Sequence, residues 1–379
     1  MRGETTDARG RSCTIHRGHR RLPDETSVYE IGSITKLFTA LLLALAVQQQ
    51  PHTITLDTPV VDLLLENSSA RGPLPHFPRE ITVQRLATHT SGMPRLPQDW
   101  NFFWYLFFHQ RNPYSGYHAS HLATSLRKYR DWEREEIGKH FEYSNWGMGL
   151  LGYALTVAMP VRGGGWCQND SDDTIKPVSS PAIQNSTAVA YEQILREYIT
   201  DPLQLYHTTV QPTDRLLPGF NAKGRTAAHW TFDALVGCGA IHSTLQDLLH
   251  FGVVHLRAAR KETPDTPMES AMQLCHKRHF LIDEADDEEL SIGLGWLQET
   301  NKTLGNGKNT MFWHNGGTYG FASYLGWEAE TGTVVVVLSN SKAVDAMPLG
   351  KRILLDAIEH KLIRKQALES LDKPGSEIL

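Results

Sequence analysis

Ser33 and Lys36 stand three residues apart in "YEIGSITKLFTALLLALAV", where a long apolar run begins. Residues at that spacing share a helix face, so the lysine amine would lie beside the serine hydroxyl. A free serine hydroxyl is a poor nucleophile and needs a neighbour to take its proton, and a desolvated lysine can do so. Gly32 lets the backbone turn sharply into the helix, and a helix N-terminus offers N–H groups where an oxyanion would form. The bland alternative is a serine that only caps the helix, with the lysine reaching solvent. The SxxK pattern alone does not decide, because Ser125/Lys128, Ser339/Lys342 and Ser370/Lys373 match it too. Those copies lie in a charged helix, after a strand and in a polar tail, and are read as chance. Two further stretches could join Ser33. "FEYSNWG" holds Tyr143 and Asn145, the chain's single Tyr-x-Asn, and "WHNGGTYGF" holds His314, Asn315, Gly316 and Gly317. Taken singly, each also fits a core tyrosine, a turn asparagine and a strand histidine.

The elements that must position these residues form two textures. Residues 31–210 read mainly as helix: an apolar face of Leu37, Leu41 and Leu45, flanked by Phe38 and Leu42, continues from Ser33. "TLDTPVVDLLLE" predicts a helix with Thr58 as N-cap and Pro59 first inside it. "ITVQRLATHTSGMP" predicts a short helix from Thr82 that stops at Ser91-Gly92, and "SNWGMGLLGYALTVAM" a helix weakened by three glycines. Residues 159–187, rich in Gly, Asp, Ser and Pro, read as a loop insertion. "VAYEQILREYI" predicts a helix that ends before Pro202, and Ser243 with Gln246 a capping box. Within 211–365, "LSIGLGWLQ", "TMFWHNGG", "GFASYLGWEAE" and "TGTVVVVLSN" read as β-strands from about residue 290, joined antiparallel, before a closing amphipathic helix. The expected fold is α+β, one domain over 1–379, an antiparallel sheet flanked by helices with a mostly helical part.

The chain is 379 residues long, 40% hydrophobic and 21% charged, which suits a globular protein with a sizeable core. Its formal charge of −5 gives no reason to expect nucleic acid as a partner. The four cysteines are widely spaced and read as isolated thiols, and no HExxH or paired CxxC points to a metal or cofactor. "MRGETTDARGRSCTIHRGHRR" has no apolar stretch of signal-peptide type, and the run Leu37 to Val47 is short for a membrane span. A soluble chain without a membrane span is expected, its compartment and oligomeric state unspecified. "HKRHFLIDEADDEEL" reads as a solvated loop.

Taken in order, SxxK, YxN and a His-x-Gly strand near the C-terminus resemble the penicillin-recognising serine hydrolases. The most similar branch comprises class C β-lactamases, D-alanyl-D-alanine carboxypeptidases and related serine esterases. "YEIGSITKLFTALLLA", "ITVQRLATHTSGMP", "YSNWGMGLLGYAL", "FDALVGCGAIHSTLQDLLHF" and "WHNGGTYGFASYLGW" carry the likeness, over roughly residues 28–345. The resemblance implies a β-lactamase/transpeptidase-like fold with Ser33 as acylating nucleophile and Lys36 as its proton partner. It implies Tyr143 as general base and then acid, and Asn145 as a holder of Lys36 and of the substrate's acyl amide. The backbone N–H groups of Ser33 and Gly317 would form the oxyanion hole, with Gly316 and His314 beside them. Substrates would be small esters, amides, peptides or β-lactams, with no cofactor.

Two features depart from that pattern. His314 stands where true class C β-lactamases have lysine, and an unperturbed imidazole is mostly neutral at pH 7. It would offer a substrate carboxylate one hydrogen bond and no fixed charge, which favours an esterase or peptidase over a true β-lactamase or DD-peptidase. The resemblance also implies a helix and a hairpin before the SxxK helix, whereas the first thirty residues hold one evident strand, "SCTIHRG". A truncated start and a gap in the sheet are therefore expected. A non-catalytic scaffold is the alternative of another class, though a retired site would be expected to have lost some of Ser33, Lys36, Tyr143, Asn145 and Gly317.

Overall fold

The computed structural model describes residues 3–6, 12–15, 23–50, 52–65, 74, 76–100, 102, 112–161, 186–303 and 309–371. Most of the expected insertion, 162–185, lies outside the described residues, as do Cys167 and Lys373. Near the start, β1 (Gly3–Thr6) and β2 (Ser12–Ile15) pair antiparallel, so two strands form where one was expected. Among the described residues they pair only with each other and add nothing to the main sheet.

Strand β3 (Val28–Glu30) leads into a tight turn, Gly32–Ile34, and then α1 (Thr35–Gln49). Every residue of α1 from Thr35 to Ala46 is buried. The helix is therefore central rather than one-faced, because other elements cover its Leu43 and Ala44 side as well. Its stretch Gly32–Gln49 is long and apolar enough to cross a membrane, but most of it is buried inside the fold. Around it stand α2 (Val60–Leu65), α3 (Val83–Ala87), α4 (Ala119–Lys128), α5 (Asn145–Ala158) and α6 (Thr187–Leu195). Thr82 caps α3 as expected, accepting the Arg85 N–H at 3.3 Å, but the helix ends at Ala87, ahead of Ser91-Gly92. The chain leaves it through His89, whose φ of 57° is left-handed and unusual for a residue with a side chain. Thr58 does not cap α2; its hydroxyl oxygen accepts the Thr55 N–H at 2.8 Å.

The glycines of α5 have a packing role. A Cβ on Gly152 would lie 2.7 Å from the Gly237 Cα, so helix and backbone meet where no side chain could fit. Gly237 belongs to the turn Val236–Cys238, which this approach brings against α1. Two short strands, β4 (Gly219–Phe220) and β5 (Thr226–Ala227), pair with each other, and β6 (His242–Thr244) pairs with β3. Helix α7 (Leu245–Ala259) is capped by Thr244, one residue after the expected Ser243, whose hydroxyl is engaged with that of Thr208 at 2.8 Å. Helix α8 (Pro267–His276) follows.

The main sheet begins at residue 280, earlier than expected. Strands β7 (Phe280–Glu284), β8 (Glu288–Ile292), β9 (Leu297–Asn301), β10 (Asn309–Gly317), β11 (Ala322–Glu328) and β12 (Thr333–Ser339) form one antiparallel meander. The charged run read as a loop is thus β7 and the start of β8. Strand β7 lies at the sheet's edge with no buried residue, where charged side chains stay solvated. "LSIGLGWLQ" is two strands joined at Gly293–Trp296, not one. Alternation along β10 splits its side chains between two layers. Met311 and Trp313 pack with Tyr324 on α9 (Ala346–Leu371), while the other face meets the main core around α1. The result is α+β.

Candidate active site

The turn Gly32–Ile34 before α1 and the C-terminal end of β10 meet. Gly32 has a φ of +52°, and a Cβ there would lie 2.6 Å from the Gly317 N. Only glycine allows the Ser33 turn to approach the strand this closely. A Cβ on Gly316 would collide with the Ile31 carbonyl oxygen, which accepts the Ser323 hydroxyl at 2.8 Å from the next strand. Two glycines and one serine therefore fix the serine turn against the sheet.

Ser33 itself is half-buried between fully buried neighbours. The Lys36 amine donates to Ser33 Oγ at 2.9 Å, as the three-residue spacing requires. It also donates to the Cys238 carbonyl at 2.7 Å. Lys36 is completely buried, so the reading in which it reaches solvent is excluded. The Cys238 thiol beside it is pushed up to about 11 by burial and stays protonated near neutrality. Among the other SxxK copies, Ser125 bonds Tyr117, the His121 carbonyl and Asp99 while Lys128 is exposed, and Ser339 pairs with the Ser341 backbone.

Tyr143 comes in over the amine, with Lys36 Nζ 4.8 Å from its ring centroid. Sequence reasoning missed three groups that hold it there. The His89 ring lies 4.5 Å from the Tyr143 ring, and its Nδ1 accepts the Ser144 N–H at 3.1 Å. The His89 carbonyl accepts the Glu142 N–H at 2.7 Å, so His89 clamps both sides of the tyrosine. Burial first, and then Lys36, His314 and Arg95, push the His89 imidazole well below its ordinary value. It is therefore neutral and fits its role as acceptor. Ser144 caps α5 by accepting the Gly147 N–H at 2.8 Å and donates to the Pro94 carbonyl at 2.8 Å. Arg95 accepts the Asn145 N–H on its carbonyl at 3.0 Å and holds its guanidinium 5.2 Å from the Tyr143 ring centroid. No residue type marks His89 for this role in advance, because its left-handed φ of 57° is a property of the folded backbone.

Asn145 differs from expectation. Its Nδ2 donates to Tyr114 Oη at 3.1 Å, and no bond to Lys36 is made among the described residues. Lys36 turns to the Cys238 carbonyl instead, because the close-packed turn delivers that oxygen. Among the described residues Asn145 Oδ1 is buried with no partner. An unpaired buried acceptor is costly, and a donor entering from the cleft would satisfy it.

His314 lies on β10 with its ring 6.2 Å from that of Tyr143. Its Nδ1–H donates to the Asn315 carbonyl at 2.7 Å, a tautomer set by the fact that a carbonyl can only accept. Burial first, and then the Lys36 charge, push the imidazole down to about 3. Both facts revise the expectation for this residue. The N–H expected for a substrate carboxylate is already engaged, and the free Nε2 is an acceptor. An imidazole depressed this far stays neutral from about pH 5.5 to 8, above its folded value throughout. The ratio of kcat/KM for a carboxylate-bearing cephalosporin over a neutral ester should therefore stay flat across that window. A rise toward acid with a midpoint near 6.5 would show that His314 titrates in the cleft.

The site thus brings Ser33, Lys36, Tyr143, Asn145, His314, Gly316 and Gly317 together. Among the described residues no cluster of three or more His, Cys, Asp or Glu could hold a metal. The Beta-lactamase family model matches residues 10–178 and 171–358. Among curated relatives, D-alanyl-D-alanine-carboxypeptidase/endopeptidase AmpH of Escherichia coli K12 is 24% identical over 336 residues, 84% of this chain and 73% of that protein. The protein of the same name from Escherichia coli O157:H7 is equally similar. A solved class C beta-lactamase has the same fold, with a TM-score of 0.62 at 19% identity over 96% of this chain and 91% of the other. A second gives 0.61 at 18% over 95% and 89%. On the family match, which spans most of its length, this chain belongs to the beta-lactamase family.

Proposed function

We propose that the protein is a serine hydrolase that cleaves a small ester or amide through an acyl-enzyme on Ser33. The observation that carries this reading is the fully buried Lys36 amine, 2.9 Å from a half-buried serine hydroxyl. Ser33 Oγ adds to the substrate carbonyl carbon, and its proton passes to the Lys36–Tyr143 pair. The resulting oxyanion would accept hydrogen bonds from the N–H groups of Ser33 and Gly317, a reading supported by the close approach of the Gly32 turn to the Gly317 backbone. The carbon–leaving-group bond then breaks, and the leaving group takes the proton back from that pair. Water repeats the sequence on the acyl-enzyme and frees Ser33. Asn145 Oδ1 would accept an amide N–H on the acyl side of the substrate.

Intact mass spectrometry tests this directly. A fluorophosphonate should add one phosphonyl group to the protein, and a short-chain p-nitrophenyl ester should be turned over. No adduct and no turnover would remove the hydrolase reading and leave the scaffold. The neutral His314 favours ester or simple amide chemistry over β-lactams. A DD-peptidase is the second reading, supported by the likeness to a D-alanyl-D-alanine carboxypeptidase/endopeptidase. Release of D-alanine from a D-alanyl-D-alanine peptide, faster than ester cleavage, would favour it.

A further inference from the structure

Two cations stand near the Tyr143 ring, and only one of them has a task. Lys36 is buried, its amine bonded to Ser33 Oγ and to the Cys238 carbonyl. Arg95 is exposed, with its guanidinium carbon 5.2 Å from the ring centroid. Among the described residues its side chain makes no ion pair or hydrogen bond. The carboxylate nearest along the chain, Asp99, is taken by the Ser125 hydroxyl and the Phe102 N–H. The backbone that carries the guanidinium is pinned to the start of α5. The Pro94 carbonyl accepts the Ser144 hydroxyl at 2.8 Å, and the Arg95 carbonyl accepts the Asn145 and Trp146 N–H groups at 3.0 and 3.3 Å. A fixed backbone thus holds an uncommitted cation where an arriving ligand can reach it.

The groups that feel this charge show which side of the cleft it occupies. Burial first pushes the Tyr114 phenol up, while the Asn145 bond and the Arg95 charge oppose the rise. Tyr114 is the residue to which Asn145 Nδ2 donates. At His314 burial again acts first, and the charge that follows is that of Lys36, not of Arg95. Arg95 therefore stands on the Asn145 side, where the buried Asn145 Oδ1 awaits an acyl-side N–H, and away from the end of β10. We infer that Arg95 is a specificity-determining residue that favours substrates whose acyl group, rather than leaving group, carries a carboxylate. This rests on the hydrolase reading above and narrows its substrate class. A guanidinium can meet such a carboxylate with two parallel N–H bonds. Because it is exposed, water and salt screen it, and the gain should be about three- to ten-fold and salt-dependent.

The test compares mono-p-nitrophenyl adipate and suberate with their neutral methyl esters, following p-nitrophenolate release above the buffer blank. Each pair shares its scissile ester, so the ratio of kcat/KM values, acid over methyl ester, isolates the acyl carboxylate. At one or both chain lengths Arg95→Met should lower that ratio about five-fold, mainly through KM. Arg95→Glu should lower it further, and Arg95→Lys should restore most of it. A side chain that merely steadied Tyr143 would slow both members of a pair alike and leave the ratio fixed. Raising salt from about 50 to 500 mM should lower the wild-type ratio and leave that of Arg95→Met nearly constant. In 3-acetoxybenzoate and its methyl ester the charge sits on the leaving group, and Arg95→Met should not move their ratio. Acyl-side ratios unmoved by Arg95→Met at both lengths would overturn the inference. So would a leaving-group ratio that falls as far as the acyl-side one. Failure of the wild type to cleave any of these esters would instead remove the hydrolase reading, and this inference with it.

Discussion

Ser33→Ala is expected to abolish the fluorophosphonate adduct and to reduce ester turnover to background, a loss on the order of 10⁶ for a lost serine nucleophile. Ser125→Ala, at another serine of an SxxK pattern, should keep the adduct and most of the turnover. The geometry gives the reason: Lys36 contacts Ser33 Oγ, whereas Ser125 Oγ is tied to Asp99, Tyr117 and the His121 carbonyl. Removing the Ser125 hydroxyl strips buried Tyr117 of a partner and should cost about 1–3 kcal/mol of stability. A denaturant melt and the adduct mass, read on the same two variants, separate the effects. If Ser125→Ala lost the adduct while still folded, the nucleophile would be misassigned.

Lys36→Ala and Tyr143→Phe should each lower kcat by about 10²–10⁴, the span of a positioned acid–base group. The two losses should not add in the double variant, because one proton path runs through both residues. Lys36 Nζ lies over the tyrosine ring while bonded to Ser33, so removing either disturbs the same path. Lys36→Ala also leaves the Cys238 carbonyl without this donor, so its fold must be checked by melting before the rate is interpreted. Single-turnover acylation of the three variants measures the coupling. Near wild-type acylation in Tyr143→Phe would remove the tyrosine from the proton path.

Much of the site was legible because it is local. Ser33 and Lys36 meet through helix geometry, Gly32 marks a sharp turn, and the β-rich runs from Asn309 to Ser339 alternate across a sheet. The strand missed at Phe280–Glu284 is charged for a local reason of another kind. An edge strand can satisfy its charges in water, so its composition resembles a loop. The expected caps do not form because the Thr58 and Ser243 hydroxyls are taken up by Thr55 and Thr208.

The remaining features depend on contacts between distant parts of the chain. The Cys238 carbonyl that receives Lys36 is 202 residues away and has no side-chain signature, since any residue supplies a carbonyl. It reaches the amine only because Gly152 and Gly237 let a helix and a turn touch. The charge state of His314 is equally non-local. Its residue type sets an ordinary imidazole, but burial beside Lys36 holds it neutral, and the Asn315 carbonyl takes its N–H. By itself the sequence determined which residue types were available and which neighbours along a helix or strand would meet. Only the tertiary structure decided which of them were desolvated and which polar groups were already engaged, because desolvation and partner choice are set by packing rather than spacing.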